Sequence, residues 1–158
     1  MQEYIAEGSF KAEFLVCSKP CSGICRDGVC PNRRREIKML EKIIFSLPEG
    51  ELTVFPGFVF DGASIPRCCW TITGHPLEHR FLYAALLHDV LYSAGYLSRK
   101  QADQCFRSFL SRFAGVGKFS AWKMYVAVRI FGGIAWNGKT ETQKTAARTC
   151  STWKGLAE

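Results

Sequence analysis

The chain lacks a hydrophobic run long enough to span a membrane, and its first residues do not resemble a secretion signal. The longest apolar stretch lies near residues 81–92 and is interrupted by His88 and Asp89, whereas a spanning helix needs about 20 apolar residues. Residues 1–9 contain neither a basic start nor an apolar segment, so no signal peptide is visible. We therefore expect synthesis in a reducing compartment.

Acidic residues are scarce relative to basic ones. The sequence has 14 Asp and Glu against 21 Lys and Arg, a formal net charge of +7. Such an excess favours anionic partners, namely nucleic acid, a phospholipid surface or an acidic protein, although a basic protein with no such partner fits it equally well. The one dense basic run, residues 33–35, is followed directly by Glu36 and belongs to no recognised nucleic-acid motif. Nucleic acid is therefore the partner that we expect least.

Length and composition indicate one domain. A chain of 158 residues that is 47% hydrophobic can build a core without disulfides or metal. No internal repeat and no interdomain linker is visible in the sequence. We predict a single domain over residues 1–136, with a Cys-rich loop insertion at 17–32, and a polar, weakly anchored C-terminal tail over residues 137–158.

The N-terminal half carries short segments typical of antiparallel strands. Residues 8–16 partly alternate between polar and apolar types and predict a strand. Residues 35–47 predict two short strands around Lys42 or one bent strand, and residues 52–55 predict another. These segments indicate a small antiparallel sheet.

The C-terminal half predicts three helices. The first runs over about residues 77–93, and the second is capped by Ser98 with Gln101 in a capping box. The third covers about residues 119–131 and ends at Gly132-Gly133. Strands followed by helices predict the α+β fold class.

The first helix carries an unusual pair of polar residues. Residues 81–92 are apolar nearly all round, and His88 and Asp89 are their ionisable groups apart from two tyrosines. Because burying an unpaired charge costs several kcal/mol, the pair needs partners or a cleft. The short turn between the helices makes them antiparallel, which brings Asp103 within reach of His88 or Tyr92. An imidazole oriented by a carboxylate is a general-base arrangement.

This constellation has two interpretations. In the first, His88, Tyr92 and Asp103 are catalytic residues, and the carboxylates of Asp89 and Asp61 bind a hard cation. In the second, His88, Asp89 and Asp103 form a structural polar network that fixes the packing of the helices. The residues alone leave both interpretations open.

Residues 61–67 form a second candidate, a polar turn after the last predicted strand. Asp61 and Ser64 can cap the turn, and the guanidinium of Arg67 could hold a phosphate or a carboxylate. Ser64 and Arg67 are thus candidates for anion binding, although a capped turn with Arg67 paired to a core carboxylate fits equally well. Nothing around Ser64 resembles a nucleophile elbow.

The loop insertion contains four cysteines, Cys17, Cys21, Cys25 and Cys30. Four thiolates could close a tetrahedral zinc site or hold an iron–sulfur cluster. The spacing is not the usual paired C-x-x-C, and two disulfides or free thiols are the alternatives.

Three separated segments resemble a phage-associated family called domain of unknown function 1353. They are residues 55–67, 84–92 and 98–106, and the similarity covers about residues 36–136. The resemblance implies a bacteriophage or prophage origin and no established activity. It further implies a particle-associated tail or connector protein, with other virion proteins as partners. Its location would be the host cytoplasm during synthesis and the virion afterwards.

The helix pair is also similar to the active-site helices of phospholipase A2 enzymes. The similarity lies in His88-Asp89-x-x-Tyr92, with Asp103 on a following helix. It implies that His88 activates water, Asp89 binds calcium, Tyr92 braces the site and Asp103 orients His88. The implied activity is calcium- or metal-assisted hydrolysis of a lipid ester at a phospholipid membrane. The alternative is a non-catalytic tail or connector component.

Overall fold

The computed structural model describes residues 4–15, 36–60 and 79–155. In these ranges, short antiparallel strands precede four helices, and a last strand follows them, so the predicted α+β class is confirmed. The elements are, in chain order, β1 (Ile5–Glu7), β2 (Ala12–Leu15), β3 (Glu36–Met39), β4 (Ile43–Leu47), β5 (Gly50–Val54), β6 (Val59–Phe60), α1 (His79–Ala94), α2 (Arg99–Arg112), α3 (Lys118–Asn137), α4 (Glu141–Thr149) and β7 (Ser151–Gly155).

The larger sheet has the strand order β1-β4-β5-β7, and each neighbouring pair is antiparallel. On β4, Ile43, Phe45 and Leu47 are buried and alternate with half-buried residues. Leu52 and Val54 repeat that alternation on β5. Because side chains alternate between the two faces of a strand, one face of this sheet supplies the core.

The smaller sheet has the order β2-β3-β6, and the chain passes between the two sheets at Gly8 and at Lys42. Gly8 has a φ of 113°, and a Cβ there would lie 2.5 Å from the carbonyl oxygen of Lys42. The kink separates β1 from β2, and β2 lies within the strand predicted over residues 8–16, so that strand is confirmed although it begins only at Ala12. The prediction of two strands around Lys42 is confirmed.

Aromatic side chains join the larger sheet to the first two helices. The ring of Phe45 lies 6.3 Å from that of Tyr83 on α1 and 5.6 Å from that of Phe109 on α2, both edge to face. Phe109 in turn stacks on Phe113 at 4.5 Å. The core therefore lies between the sheet and the α1–α2 pair.

The helices follow the predicted order, with one difference in length. The capping box of Ser98 and Gln101 is present at the start of α2. However, α3 continues through Gly132-Gly133 to Asn137, so the predicted stop at the glycines was wrong. None of the described helices is both long enough and apolar enough to cross a bilayer.

Residues 141–155 differ from the weakly anchored tail that was predicted after residue 136. Thr140 and Gln143 form a second capping box, which starts α4. The following strand, β7, pairs with β5, and its Trp153 stacks on Tyr96 with 6.4 Å between ring centroids. The polar composition of this segment therefore did not indicate a helix, or an edge strand that pairs with the distant β5.

The cap of α4 gives a direct test of how strongly this segment is anchored. Thr140→Ala removes the hydroxyl that accepts a hydrogen bond from the Gln143 amide, and should lower the free energy of unfolding by about 1 kcal/mol. Thr145→Ala, on the exposed middle of the same helix, is the control and should change little. Urea unfolding of both variants measures the difference, and equal values would mean that this cap contributes nothing to stability.

Candidate functional site

The candidate site lies where α1, α2 and α3 meet. Gly95, at a φ of 65°, ends α1, and three residues later Ser98 caps α2. This short connection turns the chain back, so the last turns of α1 adjoin the first turns of α2. His88 and Tyr92 of α1 then face Asp103 of α2, as predicted from the sequence.

Asp103 is the centre of the site, and its side chain is fully buried. Its Oδ1 atom lies 3.0 Å from His88 Nε2 and accepts a hydrogen bond of 2.6 Å from the hydroxyl of Tyr92. Its Oδ2 atom accepts a bond of 2.8 Å from Nη1 of Arg129, on α3. Three donors from two other helices therefore hold one carboxylate.

These donors keep the carboxylate ionised. Burial alone would raise the pKa of Asp103, but hydrogen bonds from His88, Tyr92 and Arg129 outweigh it and hold the pKa below its ordinary value. Burial and the hydrogen bond to Asp103 raise the pKa of Tyr92 above its ordinary value. At neutral pH, therefore, Asp103 is an acceptor and Tyr92 a hydroxyl donor.

His88 is held by this carboxylate and by two aromatic rings. Only 1% of the residue is exposed, and its ring centroid lies 4.1 Å from that of Tyr92 and 4.8 Å from that of Phe106. In the tautomer that donates from Nε2 to Asp103, a neutral imidazole presents the lone pair of Nδ1. Within the described ranges Nδ1 is buried and has no hydrogen-bond partner.

Arg99 links the start of α2 to α3 beside Asp103. Its Nε atom donates to the hydroxyl of Tyr92 at 3.5 Å, and its Nη2 atom donates to the carbonyl oxygens of Val128, at 3.2 Å, and of Arg129. The guanidinium thus supports both Tyr92 and the backbone that carries Arg129.

Two glycines let α3 approach this closely. A Cβ on Gly132 would lie 2.7 Å from the Tyr92 hydroxyl, and one on Gly133 would lie 3.2 Å from Nη1 of Arg99. Tyr92 also packs edge to face on Trp136, with 5.1 Å between ring centroids. Gly132 and Gly133, which were expected to end α3, are therefore the positions where Tyr92 and Arg99 pack against this helix.

Sequence reasoning missed the contributions of Arg99 and Arg129. A usable signal was present, because Arg129 is the one charged residue between Met124 and Trp136. An isolated charge in an apolar helix needs a partner, which is the argument that had identified His88.

Of the predicted site residues not yet placed, Asp89 alone lies among the described residues. Asp89 is buried, with 6% of the residue exposed, and its side chain leaves α1 about 100° around the axis from that of His88. No cluster of three or more His, Cys, Asp or Glu residues that could hold a metal occurs among residues 4–15, 36–60 and 79–155. The remaining predicted ligands lie outside the described residues: Asp61, Ser64, Arg67, Cys17, Cys21, Cys25 and Cys30.

Comparison with known proteins identifies the family. The chain belongs to the family described as "Protein of unknown function (DUF1353)", whose model matches residues 37–128. That range contains His88, Tyr92 and Asp103 and ends one residue before Arg129. The resemblance found in the sequence is therefore confirmed for the family itself.

A bacterial relative shares part of the sequence. The chain is 36% identical over 74 residues to "Uncharacterized protein y4jT" of Sinorhizobium fredii (strain NBRC 101917 / NGR234), an alignment that covers 46% of this chain. It spans only 21% of the length of that relative. No solved structure matches the chain.

The two glycines of α3 allow the packing of the site to be tested. Gly132→Ala forces a Cβ against the Tyr92 hydroxyl and should lower the free energy of unfolding by about 1–3 kcal/mol, despite the better helix propensity of alanine. Gly133→Ala is the matched comparison, because its Cβ would lie 3.2 Å from Nη1 of Arg99, an atom that has to move by only a few tenths of an ångström. It should cost clearly less than Gly132→Ala. Chemical unfolding compares the two, and a Gly132→Ala variant as stable as Gly133→Ala would contradict the packing described.

The charge of Asp103 can be tested through pH. Since its pKa is lowered in the folded state, the stabilisation that it contributes is present above the ordinary value of 3.8. That stabilisation is lost as the pH falls through the lower folded-state value. Asp103→Asn should cost about 3 kcal/mol at neutral pH and should flatten the fall in stability on the acid side.

The control for this variant is Glu141→Gln, which removes an exposed ion pair with Lys144 and should leave stability nearly unchanged. Free energies of unfolding at neutral pH and below the ordinary carboxyl pKa provide the comparison. An Asp103→Asn variant with the pH profile of the wild type would mean that this carboxylate is not ionised in the folded protein.

Proposed function

We propose that the protein is a hydrolase of ester bonds in which His88 is the general base. The proposal rests on the different surroundings of the two nitrogens of the His88 ring. Nε2 is bonded to an ionised carboxylate, while Nδ1 carries a lone pair and has no hydrogen-bond partner within the described ranges. An imidazole oriented in this way can take a proton from water.

The reaction follows from that arrangement. His88 Nδ1 accepts a proton from a water molecule while the water oxygen attacks the carbonyl carbon of the ester. The bond between that carbon and the alcohol oxygen then breaks, and the imidazolium returns the proton to the departing alkoxide. Asp103 stabilises the imidazolium and keeps the ring oriented, and Tyr92 and Arg129 hold Asp103 in place.

Metal assistance is a further part of the proposal. Asp89 is adjacent to His88 and buried, and a carboxylate is a ligand that calcium prefers. A calcium ion there would stabilise the negative charge that develops on the ester oxygen. The remaining oxygen ligands would have to come from residues beyond Asp89, and Asp61 is the candidate that the sequence offers.

The substrate and setting are proposed from the charge and the resemblances. A net charge of +7 favours anionic lipid surfaces, and the similarity to phospholipase A2 helices points to a lipid ester. We propose that this activity belongs to a phage particle, which would use lipid hydrolysis to cross a membrane. Other virion proteins are then the expected partners.

The alternative function is that of a non-catalytic tail or connector component. The observation that favours it is the completeness of the Asp103 network, in which three donors from two helices satisfy one buried carboxylate. Such a network can specify helix packing without chemistry. Mass spectrometry of purified particles tests virion association, which both functions require here.

The proposed chemistry predicts unequal effects within one network. His88→Gln should lower the turnover of phospholipid vesicles or of a soluble short-chain ester by at least about a hundredfold. Tyr92→Phe also loses a bond to Asp103 but keeps the base, so turnover should fall by about tenfold or less. Fatty acid release, with calcium present and after chelation, provides the measurement.

The two variants separate a catalytic role from a structural one. Each loses a polar group from the same buried cluster, so unfolding measurements on both show how much of the effect is loss of fold. Absence of ester cleavage by the wild-type protein with and without calcium would refute the hydrolase. Equal turnover by His88→Gln and the wild type would refute it as well.

A further inference from the structure

The outward face of α3 is apolar although it faces solvent. At about 100° per residue its side chains project from one side of the helix as a stripe, in one group near the start and another in the second half. Several of them are more than half exposed, and Ile134 reaches 86%. The exposed members are Phe119 at 67%, Trp122 at 45%, Ile130 at 66%, Phe131 at 59% and Ile134 at 86%.

This stripe is distinct from the face that α3 packs inward. The buried residues of the helix are Ala121, Met124 and Val128, which lie on the opposite side of the axis. From Phe119 to Ile134 the stripe is about 22 Å long at 1.5 Å per residue. An apolar surface of this kind normally marks a contact with another molecule.

The charged residues of α2 and α3 are nearly all basic. The α2 and α3 helices carry seven basic residues, and their single acidic residue is Asp103, which is buried and paired. On α3 itself the ammonium group of Lys123 lies 4.6 Å from the centroid of the Phe119 ring. Of the seven, Arg99 and Arg129 are bonded at the Asp103 site, and the others are Lys100, Arg107, Arg112, Lys118 and Lys123.

We propose that the α3 face docks on an anionic phospholipid surface, with the helix axis in the plane of the membrane interface. Aromatic and branched apolar side chains beside lysines are the composition by which helices bind at such an interface. Each basic side chain near an anionic leaflet adds attraction. This docking is separate from the chemistry at His88 and does not require it.

Two other occupants fit the same surface less well. A second copy of the chain would bring two sets of basic side chains together, and like charges oppose association. Nucleic acid would satisfy the charges but would leave the apolar stripe of Ile130 and Ile134 without a partner. Anionic lipid satisfies both the charge and the apolar surface.

Co-sedimentation with vesicles tests the proposal on the full-length chain. The wild type should bind vesicles of equimolar phosphatidylcholine and phosphatidylglycerol, and bind much less to phosphatidylcholine alone. The double variant Ile130→Gln/Ile134→Gln should lose at least about tenfold in partitioning, because it removes two apolar side chains from the interface. Lys118→Gln/Lys123→Gln should lose about tenfold or more on the anionic vesicles only.

Two controls separate this docking from catalysis and from general stickiness. Leu40→Gln removes an exposed apolar side chain between β3 and β4 and should bind as the wild type does. His88→Gln should also bind normally, so a loss of activity and a loss of binding are distinguishable. Circular dichroism verifies that the exposed substitutions leave the fold intact.

Three outcomes would overturn the proposal. They are no binding to anionic vesicles, equal binding by the Ile130→Gln/Ile134→Gln variant, and equal binding to both kinds of vesicle. A fourth contradicting outcome would come from sedimentation of the lipid-free protein. A dimer that the same double variant dissociates would assign the face to a second copy of the chain.

Discussion

The buried carboxylate of Asp103 is the constraint on which the helical half depends. An ionised group with no exposure needs several donors, because an uncompensated buried charge costs several kcal/mol. Its donors come from His88 and Tyr92 on α1 and from Arg129 on α3. One side chain of α2 therefore fixes the rotation of both neighbouring helices, and a shift in any of them would leave a charge or a hydroxyl unpaired.

The same constraint explains the glycines of α3. In the middle of a helix each glycine costs about 1 kcal/mol relative to alanine, yet Gly132 and Gly133 lie against Tyr92 and Arg99 at distances that a methyl group would crowd. The close approach brings Arg129 to the carboxylate. The helix continues through both glycines to Asn137. Consequently α3 directs Arg129 towards Asp103 and keeps an apolar stripe on its outward face, where a surface helix usually carries polar residues.

Local patterns in the sequence predicted the parts of this arrangement that depend on neighbours in the chain. The meeting of His88 and Asp103 followed from helix period, a short turn and the cost of buried charge. The isolated charge of Arg129 indicated a partner, but which partner depends on how α3 is rotated against α2, and no local pattern encodes that rotation. The pairing of β7 with β5 joins segments about a hundred residues apart, so a polar composition alone suggested a loose tail.

The His88 ring is where a structural and a catalytic interpretation of the network diverge. A network that only held helices together would gain from satisfying both ring nitrogens, since a buried polar atom without a partner costs about 1–3 kcal/mol. Nε2 is satisfied by Asp103, whereas Nδ1 is buried without a hydrogen-bond partner in the described part of the chain. A base must keep a lone pair available for its substrate. This difference between the two nitrogens is the reason that we propose general-base chemistry at His88 rather than a purely structural network.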